Sequence, residues 1–229
     1  MRLILLALAL TSCVNGKAPS VSDVKIYNGQ KAQVWEFTHV LDIGTCTGSP
    51  IGPRLILTAA HCGNTLKNSG FRYKSKWLKW KCNKHPRYNT KTLENDYALC
   101  ILDEALPDFL PLASVDVRKA LSLKERVTIA GYGRPNSGKL YYGSTVVEKF
   151  RGQDVILDQR VHLGSGDSGG SAFRFGTREV IGVQSRTFVK SKRSILNRTH
   201  DHEFRWFLAD VALKHNLLVC GFTEECSNK

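Results

Sequence analysis

Gly166-Asp167-Ser168-Gly169-Gly170 constrains this chain more than any other stretch. It sets a hydroxyl between a carboxylate and two glycines, so the backbone must turn sharply there and leave space beside the serine. Two further segments stand upstream, Thr58-Ala59-Ala60-His61-Cys62 and Asn95-Asp96-Tyr97-Ala98-Leu99. A glycine-flanked serine alone is most often an ordinary turn; the three segments together are not. A serine hydroxyl is a weak nucleophile at neutral pH and needs an adjacent base to take its proton. His61 is the base on offer, and Asp96 is the carboxylate that can hold the other imidazole nitrogen. The fold must therefore converge on three side chains far apart in the chain, in the order His, Asp, Ser.

What lies between these segments reads as β-structure. Short β-branched or aromatic runs, Gln33-Val34-Trp35-Glu36-Phe37, Arg54-Leu55-Ile56-Leu57, Arg126-Val127-Thr128-Ile129-Ala130 and Val180-Ile181-Gly182-Val183, are separated by turn residues. A length of 229 residues allows one large core or two small ones. One helix is expected, with Asp201 capping a run from Glu203 to Leu213 that ends near Asn216. Its Phe204, Phe207, Leu208 and Val211 read as core.

The three segments, in this order, resemble the trypsin/chymotrypsin family of serine endopeptidases, over the stretch from about Ile26 to the helical segment near Trp206. Subtilisins and α/β-hydrolases carry the same groups in other orders. The resemblance implies an all-β fold of two six-stranded antiparallel β-barrels with a C-terminal α-helix, joined by a linker around residues 112–117. His61 and Asp96 would sit on the first barrel and Ser168 on the second, with the active site between them. It further implies Ser168 as nucleophile, His61 as acid and base, Asp96 as the group that orients His61, and an acyl-enzyme intermediate. The amides of Gly166 and Ser168 would form the oxyanion hole, and Ala130-Gly131-Tyr132-Gly133 resembles the strand end that lies beside that loop. No metal and no organic cofactor is expected.

The seven cysteines are six once Cys13 is set aside. Cys46 and Cys62 match the family's histidine-loop disulfide, and closing a loop of about 15 residues contributes roughly 3 kcal/mol by chain entropy. Cys82 with Cys100 and Cys220 with Cys226 are paired on proximity alone. A zinc site is the weaker reading, because no Cys-x-x-Cys spacing occurs.

Residues 1–12 read as a signal peptide: Arg2 precedes an apolar run from Leu3 to Leu10 that is too short to span a bilayer. Leu10-Thr11-Ser12-Cys13 resembles a bacterial lipobox, which makes Cys13 a candidate for lipidation and the source bacterial; an ordinary signal peptide cut between Ser12 and Ala18 is the alternative. Residues 13–25 read as a propeptide and 26–229 as the catalytic domain. Lys25-Ile26-Tyr27-Asn28-Gly29 looks like the family's activation junction, with Tyr27 and Asn28 as departures. A cut after Lys25 would let the new ammonium of Ile26 pair with Asp167; in the alternative, Asp167 only caps a turn. The protein is then secreted or held in the cell envelope, lipid-anchored through Cys13 before activation.

Specificity departs from trypsin. His162, six residues before Ser168, falls at the floor of the primary specificity pocket, where trypsin carries an acid, and Ser185 falls on its wall. Gly164 replaces a stapling cysteine. With His162 and Arg186 nearby, an acidic or neutral side chain before the scissile bond is favoured over a basic one, so a separate activating protease is expected to cut at Lys25. His162 as a satisfied core residue is the alternative.

The partners are protein or peptide substrates, and a monomer is expected. The net charge of +13 gathers in residues 72–84 and at Lys190-Ser191-Lys192-Arg193. A solvated strand face is the first reading of these clusters, anionic envelope polymers are a second, and no specific nucleic acid is expected. His200-Asp201-His202 reads as a helix start rather than a metal site.

Overall fold

The structure, a computed structural model, describes residues 26–133, 138–188 and 190–226. The expected leader, Cys13, the propeptide and Lys25 lie outside the described residues. In chain order the first half comprises β1 (Gln30–Lys31), β2 (Leu41–Asp42), β3 (Thr47–Gly52), β4 (Leu55–Thr58), α1 (Gly63–Lys67), β5 (Gly70–Tyr73), β6 (Lys76–Lys84) and β7 (Ala98–Leu102). The second half comprises β8 (Ser114–Val115), β9 (Arg126–Gly131), β10 (Tyr141–Arg151), β11 (Asp154–Leu157), β12 (Ser171–Arg174), β13 (Glu179–Phe188), β14 (Arg193–Arg198) and α2 (His202–Lys214).

These strands form the two barrels that the sequence implies. The first runs β2-β3-β4-β7-β6-β5 and is nearly closed; the second is a closed ring of β9, β10, β11, β14, β13 and β12. The chain passes between them through β8, which pairs in parallel with β13, in the segment expected as the linker. Strands β3, β4 and β7 are buried along their whole length, because one face fills the barrel and the other is covered. That explains their unbroken apolar runs, such as Leu55-Ile56-Leu57.

The C-terminal segment ties the barrels together. Asp201 caps α2, its carboxylate accepting from the Glu203 amide at 2.9 Å. Phe204, Phe207, Leu208 and Val211 are buried as expected. Phe204 packs on Tyr97 with ring centroids 4.9 Å apart, and Phe207 on His85 at 5.0 Å. Beyond the helix, Cys220 donates its amide to Ile51 and accepts from Val115. All three expected disulfides are formed: Cys46–Cys62, Cys82–Cys100 and Cys220–Cys226.

Two local expectations fail. Residues 33–37 are a turn, not a strand, and Val34 and Trp35 are exposed. The Gln33 amide is bonded to the Glu36 carboxylate at 2.7 Å, closing a local loop that the β-branched and aromatic content does not disclose. The short helix α1 was not expected either; five residues immediately after Cys62 carry no helical period.

His39 is buried against Phe173, with ring centroids 4.8 Å apart. Burial, and secondarily the charge of Arg178, push its pKa from 6.5 down to about 3. The unfolded chain therefore binds a proton here across a window in which the folded protein does not, so stability falls as pH drops from about 6.5 toward 3. At about 1.4 kcal/mol per pH unit the loss amounts to a few kcal/mol. Urea unfolding at pH 7 and pH 5 should show a smaller difference for His39→Leu than for the parent. An unchanged difference would contradict this assignment.

Candidate active site

β4 ends at Thr58 and the chain turns through Ala59-Ala60-His61, closed by a Cys62 amide to Ala59 carbonyl bond. The Cys46–Cys62 disulfide pins this corner to the residue before β3. His61 therefore stands at a strand end, partly exposed. Asp96 lies just before β7, the neighbour of β4 in the sheet, and is fully buried.

The Asp96 carboxylate is the electrostatic centre of the site. Its Oδ1 accepts the His61 amide at 2.8 Å, and its Oδ2 meets His61 Nδ1 at 2.6 Å. A carboxylate can only accept here, so Nδ1 carries the proton and Nε2 is left as the basic nitrogen. Oδ2 also accepts the Ser185 hydroxyl at 2.6 Å, from β13 of the other barrel. A buried charge is tolerated only when donors surround it, and Asp96 has three.

The same loop is bolted across the interface between the barrels. The Asp96 amide donates to Asn197 Oδ1 at 2.9 Å, the Asn95 amide to Gln153 Oε1 at 2.9 Å, and the Tyr97 hydroxyl to the Arg198 carbonyl at 2.8 Å. Every one of these partners comes from the second barrel.

Ser168 is carried toward this centre by the glycine-rich loop. The Thr47 amide donates to the Ser168 carbonyl at 2.9 Å, and Cys62 Sγ lies 3.8 Å from that carbonyl, so the Ser168 loop abuts the residue next to His61. Gly169 is obligatory: its φ is +81° and a Cβ would lie 2.0 Å from Thr58 Oγ1. Among the described residues, the amides of Gly166 and Ser168 donate to no protein acceptor. They are therefore available to an incoming oxygen.

Asp167, fully buried, accepts from the Gly133 amide at 2.9 Å and the Gly164 amide at 2.8 Å. Gly131 makes room for it, since a Cβ there would come 2.3 Å from Asp167 Oδ1. The stretch Ala130–Gly133 thus lies against the nucleophile loop as expected. Ile26, the other half of the expected activation pair, is fully buried in the second barrel's core. Tyr27 and His162 exchange backbone hydrogen bonds, at 2.8 and 3.3 Å, which anchors the Ile26 segment to the segment leading into the loop.

Ser168, His162 and Ser185 line one cavity of about 530 Å³, together with Tyr27, Arg186 and Lys192. Sequence reading placed Ser185 only on the pocket wall; its bond to Asp96 was missed, because a serine inside a strand carries no motif. Lys192 was also missed as a pocket residue. Arg186 lines the cavity with His162 as expected, and its guanidinium is held by Asp154 at 2.7 Å.

A model of the trypsin family, described as "Trypsin", matches residues 26–198. The chain belongs to the trypsin family. Human heparin binding protein has a similar structure, with a TM-score of 0.66 at 19% identity over 81% of this chain and 96% of that one. A glycine-to-glutamine variant of the same human protein gives a TM-score of 0.65 at 19% identity, over 81% and 95%. At these identities the likeness is one of fold. Membership of the family together with three disulfides is the pattern of secreted or extracellular domains.

Ser185→Ala would leave the buried Asp96 with one donor fewer, at a cost of about 1–3 kcal/mol. Urea denaturation should show this loss, with the Nδ1 proton of His61 shifted in the NMR spectrum. A variant as stable as the parent, with an unmoved resonance, would show that the hydroxyl does not support the carboxylate.

Proposed function

We propose that this member of the trypsin family is a serine endopeptidase that works through Ser168, His61 and Asp96. The observation that carries the reading is the pair of hydrogen bonds from His61 to Asp96, through its amide and its Nδ1, which leaves Nε2 basic on the residue next to Cys62, whose Sγ lies 3.8 Å from the Ser168 carbonyl. In this mechanism Nε2 takes the Ser168 proton as Oγ attacks the peptide carbonyl. The oxyanion forms against the amides of Gly166 and Ser168. Nε2 returns the proton to the leaving amine, an ester remains on Ser168, and water activated by Nε2 releases the acid. One oxyanion donor is worth roughly 3–4 kcal/mol of barrier in subtilisin, so the loop matters nearly as much as the nucleophile.

The enzyme is made as a zymogen. In the uncut chain the nitrogen of Ile26 belongs to a peptide bond; cutting after Lys25 would turn it into an ammonium. Asp167, buried one residue before the nucleophile, is the carboxylate suited to receive it. Cys13 carries the lipid, and residues 13–25 hold no second cysteine to bond them to the catalytic domain.

A second reading is a binding module that uses its basic surface. On β5 and β6 the residues Arg72, Trp77, Lys79 and Lys81 share one exposed strand face, and the similar fold named above is that of a heparin binding protein. Such a face suits an anionic polymer. It is compatible with catalysis, and the three donors arranged on Asp96 favour the enzyme.

Ser168→Ala or His61→Ala should each abolish most peptide hydrolysis, and the double variant should be no worse than the worse single one, because the residues act as a unit. Asp96→Asn should cost several orders of magnitude by favouring the wrong tautomer. Losses that multiply in the double variant would contradict a shared proton transfer. In cell fractionation the precursor should stay with membranes, while the form beginning at Ile26 should be soluble. Mature enzyme that remains bound, or a precursor lacking acyl mass on Cys13, would defeat the anchoring scheme.

A further inference from the structure

The cavity beside Ser168 receives, on the endopeptidase reading, the side chain that precedes the scissile bond. Its ionisable walls are His162, Arg186 and Lys192, and among the described residues no carboxylate lines it. Arg186 is held by Asp154, which leaves the chemistry of the pocket to the other two. His162 is only 7% exposed, and its Nδ1 is buried without a hydrogen-bond partner. That atom has no surface open to the cavity, so a ligand there meets the rest of the imidazole edge and the Lys192 ammonium. Lys192 is exposed, held at φ +52° in the turn before β14, and makes no ion pair among the described residues. Burial, and then the nearby charge of Lys192, hold the His162 imidazole below its ordinary range, so the two groups share one cavity with a single fixed positive charge at neutral pH.

We propose that this cavity selects a carboxylate side chain, glutamate or aspartate, immediately before the scissile bond, with His162 and Lys192 as the specificity-determining residues. One carboxylate oxygen accepts from the imidazole N–H and the other pairs with the ammonium. A basic side chain would be desolvated beside the Lys192 ammonium with no carboxylate among the described lining residues to offset it, and an apolar one would leave that ammonium without a counter-charge. The floor is stiffened by Tyr27, whose ring lies 4.3 Å from that of His162 and whose backbone pairs with it. Lys25, which precedes the chain's own activation junction, is a poor fit to such a pocket, which agrees with cleavage there by another protease.

The test is a binding competition on Ser168→Ala protein cut after Lys25, with peptides identical except for Glu, Asp, Gln, Leu or Arg at the varied position. The Glu or Asp peptide should bind at least about tenfold more tightly than the Gln peptide, since a site built around a polar contact discriminates against the analogue lacking it. His162→Leu and, independently, the surface substitution Lys192→Gln should each bring that ratio toward one. Equal binding of Glu and Gln peptides, tighter binding of Arg or Leu, or a ratio indifferent to both substitutions would overturn the proposal. Turnover by protein bearing Ser168 is scored separately. Acid-selective binding without turnover supports this pocket chemistry and defeats the endopeptidase reading; turnover without acid selectivity does the reverse.

Discussion

The buried carboxylate of Asp96 is the constraint on which the rest of this structure depends. It has no solvent to stabilise its charge, so the chain must deliver donors to it, and these come from both barrels: the amide and ring of His61 from the first, the hydroxyl of Ser185 from the second. The requirement fixes more than one side chain. It sets the tautomer of His61, holds the end of β4 against the start of β7, and registers β13 against both. Asn197 and Gln153 then grip the backbone at Asp96 and Asn95, so the two barrels are locked together at the point where chemistry would occur.

The loop that carries Ser168 obeys a different rule, that of close approach. Gly169 sits where any side chain would strike Thr58, and Gly131 sits where any side chain would strike Asp167. Backbone contact replaces side-chain packing, which brings the Ser168 segment against the corner that carries His61. The disulfide between Cys46 and Cys62 reinforces the same corner. The cavity beside Ser168 is stiffened as well, because His162, which lines it, is fastened to Tyr27 by backbone hydrogen bonds.

Much of this was legible in the sequence where the needed information is local. The segments around His61, Asp96 and Ser168 carry their own residue types and order, and α2 announces itself through the Asp201 cap and the spacing of Phe204, Phe207, Leu208 and Val211. What was not legible depends on register between strands distant in the chain. Ser185 reads as a pocket residue because nothing local links it to Asp96, 89 positions away. Arg186 reads as a cation near the pocket, and nothing local discloses that β11 places Asp154 beside it. The exposed turn at residues 33–37 mimics a strand because it is rich in β-branched and aromatic residues, while the bond that closes it, from Gln33 to Glu36, leaves no periodic trace.

The central claim is that Asp96, His61 and Ser168 form one activated nucleophile. Labelling with a fluorophosphonate probe reads it most directly, since the reagent phosphonylates only a serine whose hydroxyl is activated by a base. Protein cut after Lys25 should take up the probe on Ser168, located by peptide mass mapping, and His61→Ala should lose the adduct. An unlabelled Ser168 in the folded, cut protein, or equal labelling in the His61→Ala variant, would contradict the account.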